Sequence, residues 1–116
     1  MKDLTSHKDI TFLVDEFYGK VLKDDILAPF FSRLDFDQHK PKMVHFWSFV
    51  LLEEAGYTTD VTKKHLNMPL QKEHFDRWIE LFNVTVDTHF TGEKADLAKQ
   101  RAFLIRWTIE SKMNNG

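Results

Sequence analysis

The sequence predicts an all-α chain of four main helices with short extras. Three observations carry that expectation. Apolar residues recur at helical spacing in four stretches, and no stretch alternates apolar and polar residues for long enough to make a strand. Only four glycines and three prolines occur in 116 residues, so helix breakers are scarce.

The first helix is expected over about residues 7–23. Ile10, Leu13, Val14, Phe17, Val21 and Leu22 follow i, i+3, i+4, i+7, i+11, i+12, one face of a helix. Ser6 with Asp9 three residues on resembles a capping box at its start. Asp24 and Asp25 interrupt it, Pro29 sits in a short turn, and Phe30, Phe31 and Leu34 form an apolar knot before a polar run from Asp35 to Lys40. Met43, Phe46, Trp47, Val50 and Leu51 mark a second helix to about residue 54. Proline is tolerated in the first turn of a helix, so Pro41 places the start between Gln38 and Pro41, with His39 in or just before that turn. Gly56 supplies a stop. From Tyr57 to Gln71 nothing is periodic, and an irregular stretch of that length in so small a chain suggests function. The third helix carries Phe75, Trp78, Ile79, Phe82 and Val86 and ends at Thr91-Gly92. The fourth carries Leu97, Ala98, Ala102, Ile105 and Ile109, followed by an unstructured tail from Met113 to Gly116.

A chain of this length is expected to form one domain over residues 1–116. Its 42% hydrophobic and 29% charged residues and formal charge of -2 are those of a soluble globular protein, with no basic face for nucleic acid. With no cysteine, disulfides, thiolate metal sites, cysteine nucleophiles and thioether attachment of haem are all excluded. The N-terminus is polar and no run is long enough to span a bilayer, so a cytoplasmic monomer without membrane association is expected. Aromatic residues are in surplus: eleven Phe, three Trp and two Tyr. Such rings fill any core, so only their positions can tell a core from a binding slot.

Standard catalytic patterns are missing. No Glu is followed three residues later by His, as a di-iron bundle needs. There is no H-E-x-x-H, no phosphate loop and no G-x-S-x-G elbow, and the run Asp35-Phe-Asp37-Gln-His39 lacks the glycine and distal glutamate of a calcium loop. What remains is histidine among aromatics. Haem asks for a neutral imidazole, an apolar slot around the porphyrin, and a few polar donors on the open side. His7, His45, His74 and His89 read as solvated or structurally satisfied residues. His65 differs: Leu66, Met68, Pro69 and Leu70 crowd it in a segment without helical period, and haem burial would account for them.

Phe17-Tyr18-Gly-Lys-Val, Pro29-Phe-Phe31, His39-Lys, Phe46-Trp47, Lys64-His65-Leu66 and Phe75-x-x-Trp78-x-x-x-Phe82 lie in one order over roughly residues 8–110. In that order and spacing the chain resembles the group III truncated haemoglobins. The resemblance implies a truncated globin fold, a two-over-two helical sandwich around a haem. It also implies that His65 is the proximal iron ligand, that Tyr18 and Trp78 are distal hydrogen-bond donors, and that His39 lies at the distal gate. A hydroxyl and an indole N–H in a dry pocket suit a diatomic ligand that gains partial negative charge. Met43, one turn after His39, falls on the face toward the porphyrin, and Phe31, Phe46, Trp47, Leu66 and Phe82 complete the expected wall. Each of these rings is also compatible with plain core. Lys63 and Lys64 are candidates to pair with the haem carboxylates.

Three functions are open at this point. A b-type haem, held without covalent attachment, could bind oxygen, nitric oxide or carbon monoxide reversibly for storage, delivery or sensing. The same residues could serve an enzyme that removes nitric oxide or peroxide, which would need a partner reductase because this chain carries no flavin or nicotinamide domain. A haem-free helical interaction module, with the aromatics as core alone, would be colourless.

Overall fold

The computed structural model describes residues 1–31, 35–53 and 70–115, with side chains as far as Lys112. Helices α1 (His7–Lys23), α2 (Ala28–Phe31), α3 (Phe36–Leu52), α4 (Lys72–His89) and α5 (Glu93–Asn115) make up most of it. The four long helices touch in a cycle: α1 packs on α3 and α4, and α5 packs on those same two. The space inside that cycle is where the aromatic residues converge. Among the described residues no helix is long and apolar enough to cross a membrane.

Helix α1 begins where the sequence places it. The Ser6 hydroxyl accepts from the Asp9 N–H at 3.2 Å, and Asp9 Oδ2 accepts in return from the Ser6 N–H at 3.2 Å and the Thr5 N–H at 3.0 Å. Burial alone would raise the Asp9 carboxyl, but the bond from Lys2 and those from Thr5 and Ser6 bring it down to about 2. Ile10, Leu13, Val14, Phe17 and Val21 are buried as expected. Leu22 is exposed instead, since it lies about 100° round the helix from Val21 and so beyond the edge of the stripe.

Asp24 turns the chain out of α1. Its Oδ1 accepts from the N–H groups of Ile26 and Leu27 at 3.0 and 3.2 Å, and its Oδ2 accepts from the Arg77 guanidinium of α4. These partners overcome the desolvation that would otherwise raise this buried carboxyl. The bend that follows delivers Leu27, Phe30 and Phe31 to the interior.

Helix α3 starts earlier than Pro41 suggests. Asp35 is its N-cap, with Oδ1 accepting from the Asp37 N–H at 3.1 Å, and the Asp35 carbonyl accepts from the Gln38 and His39 N–H groups. The cap sets the start at Phe36, so Pro41 lies inside the helix just past its first turn. One ladder bond is forgone there, and His39 sits inside the helix with a fixed direction. Beyond Leu52, the expected stop at Gly56 and most of the irregular stretch lie outside the described residues.

Helix α4 ends at His89, two residues before Thr91-Gly92. Phe90 is its C-cap, buried and extended, and pairs with Lys2 in a parallel bridge, with the Thr91 N–H donating to the Lys2 carbonyl at 2.9 Å. This brings Asp3 onto the start of α5, where its carboxylate accepts from the N–H groups of Lys94 and Ala95 at 2.9 and 2.8 Å. A residue near the beginning of the chain thus caps the last helix. Gly92 makes room for it. Its φ is +132°, and a Cβ there would sit 2.7 Å from Asp3 Cγ. Gly92→Ala is expected to cost about 1–3 kcal/mol through the strained backbone and the displaced cap, read as a lower urea midpoint; an unchanged midpoint would show that Asp3 can move aside freely. Helix α5 then runs on to Asn115. The tail from Met113, expected to be irregular, is helical because α5 continues through it without a glycine or proline to end it.

Candidate functional site

The cycle of helices encloses a cavity of about 380 Å³, within the size range of cofactor pockets. Tyr18 from α1, Phe31 from α2, His39, Met43, Phe46 and Trp47 from α3, and Trp78 and Phe82 from α4 all line it. Each described residue that the sequence nominates for the site therefore faces one space. His65 and Leu66 lie outside the described residues, as do Lys63 and Lys64.

Helical spacing explains how these side chains meet. Phe17 and Tyr18 lie one full turn beyond Leu13 and Val14 on α1, whereas Trp78 and Phe82 are four apart on α4 and so share a face. Phe82 is 1% exposed and lies between two indoles, stacked on Trp47 at 5.0 Å and on Trp78 at 5.8 Å between centroids. Phe17 closes the group, edge-on to Trp78 at 5.7 Å and to Phe82 at 5.3 Å. Each such pair contributes about 0.5–1.5 kcal/mol beyond its buried area. The result is a stiff wall that fixes the indole of Trp78.

The polar centre of the cavity is Tyr18. Its hydroxyl lies 2.8 Å from His39 Nε2, and its ring rests against Phe31, Phe36 and the His39 imidazole at 5.2–5.9 Å. Burial pushes the phenol well above its ordinary range, so it keeps its proton at any physiological pH and remains a donor. The histidine tautomer decides where that proton points. With hydrogen on Nδ1, His39 accepts from Tyr18. With hydrogen on Nε2, His39 donates to the phenol oxygen and turns the phenol proton toward the cavity.

Other residues of the lining are not singled out by sequence reasoning. His74, read as a surface residue, has a side chain only 13% exposed; its Nδ1 accepts from the Gln71 N–H at 2.8 Å and its ring meets Phe30 edge-on at 4.6 Å. Phe30, brought over by the α2 bend, covers it, a tertiary contact without a periodic signal. Lys42 and Arg106 place two cations along the same cavity, and Arg106 is held by Asp76 of α4. Lys42 stands three residues after His39, so helical spacing could have found it.

An apolar slot, a buried hydroxyl donor, imidazoles and flanking cations together fit a porphyrin with its two carboxylates. A family model of the bacterial-like globins matches residues 2–108. The chain belongs to that family. Its relatives include a Group 3 truncated hemoglobin from Campylobacter jejuni, 33% identical over 107 residues that cover 86% of this chain and 84% of that protein. Among solved structures, the crystal structure of group III truncated hemoglobin from Campylobacter jejuni superposes with a TM-score of 0.87 at 32% identity, covering 97% of this chain and 95% of that one. The all-helical architecture is therefore that of a truncated globin, as the sequence resemblance implies, and this globin is a haem-binding protein.

Proposed function

We propose that this globin binds oxygen or another diatomic gas reversibly at a b-type haem, with His65 as the proximal ligand. The observation that carries the reading is the Tyr18 phenol, buried in an apolar cavity and held 2.8 Å from His39 Nε2. Haem supplies an iron atom with a coordination position open to a gas. Tyr18 supplies a permanent donor on the distal side, and Trp78 a second N–H on a wall that packing holds still. Their combined effect is to favour a ligand with partial negative charge over a neutral one and to slow its departure. His39, bonded to Tyr18, sets the direction of the phenol proton and stands where the cavity meets Gln38 and Lys42. Phe31, Met43, Phe46, Trp47 and Phe82 exclude water from the porphyrin faces, with Leu66 assigned to the same role. Lys42 is suited to a haem carboxylate. The absence of cysteine rules out thioether attachment, which supports a non-covalent haem.

The test is the absorption spectrum of the haem-supplemented protein in ferric, dithionite-reduced and carbon monoxide-bound forms. A Soret band that shifts on carbon monoxide binding is the expected result. A folded protein that stays colourless in the presence of haem would refute the reading.

A further inference from the structure

Tyr18 and His39 do not meet alone. Phe36, the first residue of α3, sets its ring edge-on to the Tyr18 ring at 5.5 Å and to the His39 imidazole at 6.2 Å between centroids, so three rings from two helices touch one another. Tyr18 and His39 line the cavity and Phe36 does not, which places Phe36 behind the pair. Side chains on a helix lean toward its N-terminus, so His39 leans over residue 36, three positions earlier. The backbone beneath them is held at two points. The Asp35 cap fixes the start of α3, and Lys40, the residue after His39, pairs through Nζ with Asp15 of α1 at 3.1 Å. With the backbone so held, His39 leaves the Tyr18 hydroxyl by turning about its own side-chain bonds, and the Phe36 ring occupies the side toward which it leans.

We propose that Phe36 is a positioning residue of the distal gate: its ring holds the His39 imidazole on Tyr18 and so limits how often the cavity opens to an incoming gas. This role rests on the gas-binding function proposed above and gives it a residue that lies outside the cavity wall. His39 has two states in it, one held on Tyr18 as in the structure and one turned away. A gas that enters only when His39 is turned away associates at a rate proportional to the small fraction of that state. Loss of one edge-on ring pair raises such a fraction by about 3- to 10-fold. The Phe36 side chain has no donor or acceptor to offer a bound gas, so its effect on binding passes through His39.

Carbon monoxide association with the reduced, haem-loaded protein, followed by stopped flow, tests this. Phe36→Ala is expected to associate about 3- to 10-fold faster than the parent chain. Phe36→Leu keeps most of the apolar volume and so secures the fold, and should be faster by a smaller factor. His39→Ala should already be fast, and adding Phe36→Ala to it should leave the rate unchanged. In NMR spectra of the diamagnetic carbon monoxide-bound form, cross-peaks between the His39 and Tyr18 rings should be strong in the parent and weakened in Phe36→Ala. Equal rates in the parent and both Phe36 variants, with a Soret band that shifts on carbon monoxide in all three, would overturn the role of Phe36 and leave the proposed function standing. A rise that persists in the His39→Ala background would show that Phe36 acts by loosening the cavity as a whole, which would overturn it equally. A chain that takes up no haem would refute the proposed function and this role with it.

Discussion

His65→Ala is expected to give a folded protein that no longer retains haem. Loss of partners that merely orient a metal ligand costs about 10–100-fold in affinity, so loss of the imidazole proposed to hold the iron is expected to cost more than about 100-fold. The apolar walls should persist in the variant, because Phe17, Trp47, Trp78 and Phe82 brace one another. Far-ultraviolet circular dichroism should therefore remain helical while the Soret band is lost on gel filtration. Added imidazole separates a ligand from a structural role: a small molecule that enters the vacated space should restore colour if His65 holds the iron. If the variant keeps its full Soret band, another histidine must hold the iron. His74 would be examined because it lines the cavity, although holding iron would require its Nδ1 to give up the hydrogen bond from the Gln71 N–H.

The second large effect is expected from Tyr18→Phe. The substitution removes one oxygen atom and leaves the ring contacts with Phe17, Phe31 and Phe36 in place, so the fold and haem uptake should be preserved. A hydrogen bond to a group bearing charge contributes about 1.5–3 kcal/mol, which corresponds to roughly a 10- to 100-fold faster release of oxygen. Carbon monoxide, which gains less charge, should be affected less. Stopped-flow displacement with both gases measures the two rates. An oxygen release rate that does not change would remove Tyr18 from the distal site, whatever its bond to His39.

These expectations rest on parts of the molecule that differ in how plainly the sequence announces them. Helix α1 is legible because a cap and a period agree: Ser6 and Asp9 mark the start and Ile10 through Val21 mark the buried face. Helix α3 is misjudged at its start because Pro41 looks like a boundary, whereas the Asp35 side chain sets the boundary one turn earlier. The walls formed by Phe31, Met43, Phe46, Trp47 and Phe82 follow from helical spacing together with the family resemblance. The contact between Tyr18 and His39 joins residues 21 apart on different helices and has no local signal, so only the resemblance pointed to the pair. The places of His74 and Arg106 in the lining have no local signal either, since they depend on Phe30 and Asp76 on other elements. Helix α5 is harder to read for a different reason, because Phe103, Leu104 and Trp107 are exposed while Ala98 and Ala102 are buried. Apolar residues on opposite faces of one helix blur the period on which sequence reading depends.

The carboxylate of Asp3 on the Lys94 and Ala95 amides also bears on how the chain folds. It joins residues more than 90 positions apart, so Asp3 has no partner here until α5 has formed. The α1 cap is made by residues 5–9 and is local, whereas Asp3 finds its partners only once α5 is in place. Contacts of such sequence separation carry a large loop-closure cost, so this one is expected to form late in folding.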